Sequence, residues 1–168
     1  MKQPDRMLTA IVVGIIVLVV AALAMVLLRP APTYRSDDSA EATAHNYLLA
    51  LQQENYERAY TYLSPQLAHY PQLFDDFVNQ VGSFNPYGVS GGETTLTVVS
   101  SRGTDTARIV LVQETYFFGG GLFDNGQSIS SFEMRLDRQN GQWRLVDSDR
   151  YFNGCWSRAD LSCPSTRP

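Results

Sequence analysis

From Met7 through Leu28 every position is uncharged and none is proline. The apolar residues there show no helical stripe, because there is no polar face to alternate with. A helix over that stretch would rise about 33 Å, enough for a hydrocarbon core of roughly 30 Å. The pattern therefore predicts one transmembrane helix over residues 7–28, preceded by a short cytoplasmic tail, residues 1–6. The run is longer than a signal-peptide core and is followed by Arg29-Pro30-Ala31-Pro32, which favours an uncleaved anchor. Residues 29–38 read as a Pro-containing polar linker.

After the linker a 3.6-residue period begins. Asp37, Asp38 and Ser39 offer helix-capping side chains, with Glu41 three residues after Asp38. Ala44, Tyr47, Leu48 and Leu51 then form one helical stripe. Tyr56, Ala59, Tyr60 and Leu63 repeat the spacing before Ser64-Pro65 ends the second helix. Pro71 suits the first turn of a third helix, with Leu73, Phe74, Phe77, Val78 and Val81 on its buried side and Gly82 as its cap.

Beyond Gly82 the period falls to 2. Leu96 and Val98 alternate with threonine and valine, and Thr106 to Phe118 is a long β-rich run. There Ala107, Ile109 and Leu111 point one way, and Val110, Val112 and Tyr116 the other. Phe132, Met134 and Leu136 alternate with Glu133, Arg135 and Asp137, which predicts a strand with one wet face. Asn140-Gly141 is a two-residue hairpin signal, and Trp143 opens a return strand running to about Phe152. That turn fixes a register: Gln139 faces Gln142, Asp137 faces Arg144, and Leu136 faces Leu145. Extended without interruption, it sets Met134 opposite Asp147 and Phe132 opposite Asp149. Both aspartates would then share the face of Trp143 and Leu145. Helices first and an antiparallel sheet after define an α+β domain over residues 39–152, with a C-terminal tail over 153–168.

Charge narrows the function. Past residue 28 there are eleven Arg against sixteen Asp and Glu, which disfavours a phosphate backbone, so no nucleic-acid partner is expected. Lys2 is the sole lysine, so Schiff-base and phosphate-loop lysines are excluded from the globular part. Cys155 and Cys163 are the two cysteines. Their even count suggests a small disulfide loop in an oxidising compartment, the alternative being two unpaired thiols. That use of cysteine, with a thin excess of positive charge before the helix, places the domain outside the cytoplasm on the plasma membrane. No metal site and no cofactor is expected, since His45 and His69 lie far from the cysteines in sequence.

The stretches Ala44-His45-Asn46-Tyr47-Leu48-Leu49-Ala50-Leu51, Asn55-Tyr56-Glu57-Arg58-Ala59-Tyr60 and Leu63-Ser64-Pro65, with the hairpin Met134 to Leu145, resemble the nuclear-transport-factor-2-like (NTF2-like) superfamily in its small extracytoplasmic bacterial form. The resemblance covers roughly residues 39–152. It implies a cone: three helices packed on a curved antiparallel sheet around a pocket. These are packing motifs, so they speak for the fold more than for activity. The short hairpin that many members place between the second and third helices is absent, and residues 154–168 fall outside the pattern.

Three chemistries follow as expectations. Asp147 and Asp149, joined by Tyr116, are the weak catalytic candidates, since a carboxylate in an apolar cone can act as a general base. The competing reading makes them structural, with Asp149 paired to an arginine such as Arg108 or Arg150. His45 and His69 have no evident acid or nucleophile partner in sequence. The segment Phe117-Phe118-Gly119-Gly120-Gly121-Leu122-Phe123, closed by Asn125-Gly126, reads either as an apolar flap or as a hairpin whose aromatics pack home. As a flap, its Phe117, Phe118, Leu122 and Phe123 are the binding candidates. The function expected is a non-catalytic, membrane-anchored binding or assembly module, its partner a protein, a small apolar ligand or a second copy of the chain. A small acid/base pocket enzyme (isomerase, dehydratase or hydrolase type) and a stress- or lipid-sensing ectodomain are the alternatives.

Overall fold

The computed structural model describes residues 6–28, 32–82, 93–121 and 124–160. The chain divides into two units, Met1–Thr33 and Tyr34–Pro168. The first unit contains helix α1, Arg6–Leu27. Among the described residues no helix is long and apolar enough to cross a membrane. This corrects the expected transmembrane helix over 7–28, and with it the single-pass plasma-membrane placement and the membrane as a partner. The expected Cys155–Cys163 disulfide lies outside the described residues, which end at 160; Cys155 itself is not a free thiol.

The second unit opens with a clasp. The Asn46 side chain is fully buried and pairs with the backbone of Arg35 as a strand would: Arg35 N donates to Oδ1 at 2.8 Å, and Nδ2 donates to Arg35 O at 2.8 Å. Helix α2, Ala40–Gln52, then begins at Ser39, whose Oγ accepts from Ala42 N at 3.1 Å. Of the three candidate caps the serine is used, which satisfies one orphan N–H of the first turn. Helix α3, Tyr56–Thr61, is capped by Asn55, which accepts from Arg58 N at 3.2 Å. The expected third helix is α4, Phe74–Gly82. It starts later than Pro71, so Leu73 and Phe74 stay exposed while Phe77 and Val81 are buried.

Four strands follow: β1 Glu93–Gly103, β2 Ala107–Gly121, β3 Asp124–Gln139 and β4 Gln142–Ser148. They form one antiparallel sheet in sequence order. Helix α2 lies against all four strands, so the sheet wraps around it. The free edge of β4 is covered where Leu145 N donates to Tyr62 O and Ser64 N donates to Leu145 O, at 2.8 and 2.9 Å. That pairing removes part of an open edge that would otherwise recruit other strands. The core sits between α2, α4 and the sheet, with Tyr47, Phe77, Val110, Val112, Met134, Leu136 and Leu145 fully buried.

The tail joins this core. Trp156 is buried, stacks on Phe77 with ring centroids 5.7 Å apart, and meets Phe152 edge-on at 5.0 Å. Its Nε1 and the Asn153 Nδ2 both donate to Gln80 Oε1 at 2.7 Å. The domain therefore extends past Phe152, and β4 ends earlier than expected, at Ser148.

Candidate functional site

Strand alternation sets the chemistry of the sheet's inner face. On β2 that face carries Val110, Val112, Glu114, Tyr116 and Phe118 in turn. Their β3 partners are Met134, Phe132, Ser130, Ser128 and Gly126. Where α2 packs, the face is apolar and closed, with Val110, Val112, Phe132 and Met134 buried. One step further it turns polar, at Glu114 and Ser130.

Glu114 is the inward-facing acid of the described sheet, and its side chain is 13% exposed. Arg150 Nη1 pairs with Oε2, and the Tyr151 hydroxyl donates to Oε1. Ser130 Oγ adds a longer contact to Oε2 at 3.4 Å and accepts from Arg150 Nη1 at 3.0 Å. The Tyr151 ring lies 5.5 Å from Phe132, and the Arg150 guanidinium 6.0 Å from the same ring. A carboxylate is an acceptor only, and both oxygens here are engaged by donors. The arrangement satisfies a largely buried charge that would otherwise be costly.

Above this constellation lies an aromatic shelf. Tyr116 and Phe118 stack with centroids 6.0 Å apart, and Phe118 is 47% exposed. The Phe118 ring covers the backbone of Gly126, where a Cβ would come within 2.3 Å of it. Phe117, also exposed, projects to the opposite face by strand parity. The expected flap residues are thus divided: Phe118 is on the inner side and Phe117 on the outer. Leu122 and Phe123 lie outside the described residues.

The weak catalytic candidates do not converge. The register holds as expected through Leu136↔Leu145, but a bulge follows and Arg135, not Met134, faces Asp147. Val146 is the inserted residue, and each later side chain changes face. Asp147 therefore points outward and accepts from Ser157 Oγ at 2.9 Å, while Ser148 takes the inward position and is buried. Asp149 is exposed; its N–H donates to Glu133 O at 3.1 Å, and its Oδ2 accepts from Glu133 N at 3.0 Å. It extends the ladder rather than facing the core. Arg108 pairs with Glu41 and Arg150 with Glu114, so neither arginine answers Asp149. His69 Nε2 is buried with no hydrogen-bond partner, and its backbone N–H donates to Trp156 O at 3.1 Å. Among the described residues no group of His, Cys, Asp and Glu is disposed to hold a metal ion.

Glu114 was legible by parity, since it shares its face with Val110, Val112 and Tyr116. Arg150 and Tyr151 were not, because their positions depend on the bulge and on the turn after β4, where Tyr151 adopts φ 58°.

No family model matches the chain, and no curated protein matches it. Solved structures are similar to it. One is a SEC-C motif containing protein from Rhodopseudomonas palustris, at 15% identity over 69% of this chain and 81% of that one, with a TM-score of 0.47. A second is a candidate calcium/calmodulin-dependent protein kinase type II association domain from Thiobacillus denitrificans, at 11% identity over 70% and 95%, with a TM-score of 0.47. A third is a candidate dehydratase of the NTF2-like family from Streptomyces avermitilis, at 13% identity over 63% and 88%, with a TM-score of 0.43. What these proteins assemble with or act on is said of them alone.

Proposed function

We propose that residues 34–160 form an NTF2-like binding or assembly module that performs no catalysis, and that the aromatic shelf at the open end of its sheet receives a protein partner or a small apolar ligand. The reading of the fold is supported by helices that precede the sheet, by α2 lying against all four strands, and by the packing residues on α2, α3 and the last hairpin.

One observation carries the functional reading. Among the described residues the inward acid of the sheet is Glu114, and both of its oxygens are already engaged. Each oxygen keeps a further lone pair, but Arg150 and Tyr151 hold the carboxylate in place as a structural anchor rather than aiming it at a substrate proton. Asp147 and Asp149 lie outside the cone, and the interior is filled by Tyr47, Phe77, Phe132, Met134 and Trp156. At the open end of the described sheet the Tyr116–Phe118 stack leaves aromatic surface exposed, which suits binding.

The test is a photoreactive phenylalanine analogue placed at position 118 of the full chain. A discrete adduct, identified by mass spectrometry and absent when the analogue stands at Phe117, agrees with this reading. Equal labelling from both positions, or none from 118, contradicts it. Retention of the adduct in Glu114→Gln is expected as well.

A further inference from the structure

A second site lies away from the Glu114 constellation and shares no residue with it. A cleft of about 250 Å³ opens where α3 runs into β4, lined by Asp37, Thr61, Tyr62, Gln142, Trp143 and Arg144. We propose that this cleft binds a small oxyanion, a carboxylate or a phosphate, and that Arg144 is the cation that recognises it.

The argument begins with the charge of Arg144. The described arginines that form ion pairs are Arg102, Arg108 and Arg150. Arg144 is half-buried, and its hydrogen bonds go to neutral oxygens: Nη1 to Thr61 O and Nη2 to Gln142 Oε1. Asp137 faces it across the β3–β4 ladder, yet the two form no ion pair. A guanidinium carries five N–H donors, so two such bonds leave donors for a ligand. Its planar fork matches carboxylate and phosphate oxygens in pairs, with charge-assisted bonds about twice as strong as neutral ones.

The other lining residues fit this role. Asp37 is the acid of the cleft, and its carboxylate is occupied: Asn46 Nδ2 donates to Oδ1 at 2.5 Å and the Tyr62 hydroxyl to Oδ2 at 3.3 Å. Arg58 supplies a balancing positive charge beside it, with Nε donating to the Tyr62 hydroxyl at 3.0 Å and its guanidinium 3.6 Å above the Tyr34 ring. Arg144 is left as the lining cation that forms no ion pair among the described residues. Trp143 and Tyr62 are almost wholly buried and give the cleft aromatic walls. The volume lies just below the roughly 300 Å³ at which small-molecule sites begin, which suits a compact anion better than a nucleotide. The backbone is fixed on both sides, because Leu145 N is bonded to Tyr62 O and Ser64 N to Leu145 O.

The experiment is titration of the ¹⁵N-labelled full chain with benzoate, with inorganic phosphate, and with chloride at matched ionic strength. Benzoate or phosphate should move the amide resonances of Thr61, Tyr62 and residues 142–144 saturably. Saturation by benzoate alone identifies a carboxylate site and by phosphate alone a phosphate site; either supports the proposal. Arg144→Gln should weaken binding at least about tenfold, the loss expected for a charge-assisted pair, while Arg135→Gln on the outer face should leave it unchanged. Shifts equal to those from chloride overturn the proposal, as does saturation that survives Arg144→Gln. Should Arg144→Gln give no folded spectrum, Arg144→Lys is read instead. It keeps the charge and loses the fork, so undiminished binding overturns the assignment.

Discussion

The Tyr47 hydroxyl, fully buried on α2, donates a 2.5 Å hydrogen bond to the backbone carbonyl of Tyr151, more than a hundred residues away in sequence. Tyr151 sits in the left-handed region at φ 58°, which L side chains adopt at a cost. The bond holds that turn in place, and the turn aims the Tyr151 hydroxyl at Glu114. Tyr47→Phe should therefore lower stability by about 1–3 kcal/mol, the cost of a buried acceptor left unpaired. Denaturant unfolding measures this. A broadened Tyr151 amide resonance would show that the turn has loosened.

Burial also sets a pH dependence. The hydroxyls of Tyr47, Tyr62 and Tyr70 are all pushed up from the ordinary tyrosine value of 10.0, in each case chiefly by desolvation. A raised pKa means that the folded chain keeps a proton the unfolded chain releases. The associated stability is complete below about pH 10 and is lost as pH rises through the folded-state values. Unfolding midpoints recorded between pH 8 and pH 11 should fall at the alkaline end, and Tyr47→Phe should flatten that fall.

Gly126 and Phe118 should be coupled. A Cβ at position 126 meets the Phe118 ring at 2.3 Å, so Gly126→Ala forces the ring away from Tyr116. The loss of that stack is worth about 0.5–1.5 kcal/mol. In a Phe118→Ala background the clash vanishes, and the same change should become stabilising by about 0.4–1 kcal/mol through the unfolded chain. A double-mutant cycle reads the change of sign.

The tail is structural as far as Trp156. Trp156→Ala removes a buried ring from between Phe77 and Phe152 and leaves Gln80 Oε1 without one of its two donors. A loss of about 3–5 kcal/mol is expected from calorimetry, the range for a buried aromatic replaced by alanine. A loss below 1 kcal/mol would mean that the tail does not pack.

Much of this fold was legible in the chain. The stripes on α2 and α3, the period-2 strands and the Asn140-Gly141 turn are local signals, and local signals survive folding when tertiary packing agrees with them. The hairpin register was correct through Leu136↔Leu145 for the same reason. It failed one step later because Val146, a good β-former, carries no mark of a bulge, and a one-residue insertion reverses every following face. Asp147 was lost to the site in this way. Leu73 and Phe74 were expected to be buried, yet a stripe alone cannot say where α4 begins. Trp156 lies in no periodic run, so only its burial against Phe77 reveals its role. The long apolar N-terminal run reads as a membrane span, but the described residues hold no helix that meets that requirement.

The direction of Asp147 decides whether the sheet's inner face holds a second acid, so the β3–β4 register is the measurement that matters most. Cross-strand NOEs, recorded on the ¹⁵N,¹³C-labelled chain, should connect Arg135 with Asp147 and Met134 with Ser148. A Met134–Asp147 connectivity would turn the carboxylate to the sheet's inner face and contradict the proposed non-catalytic reading.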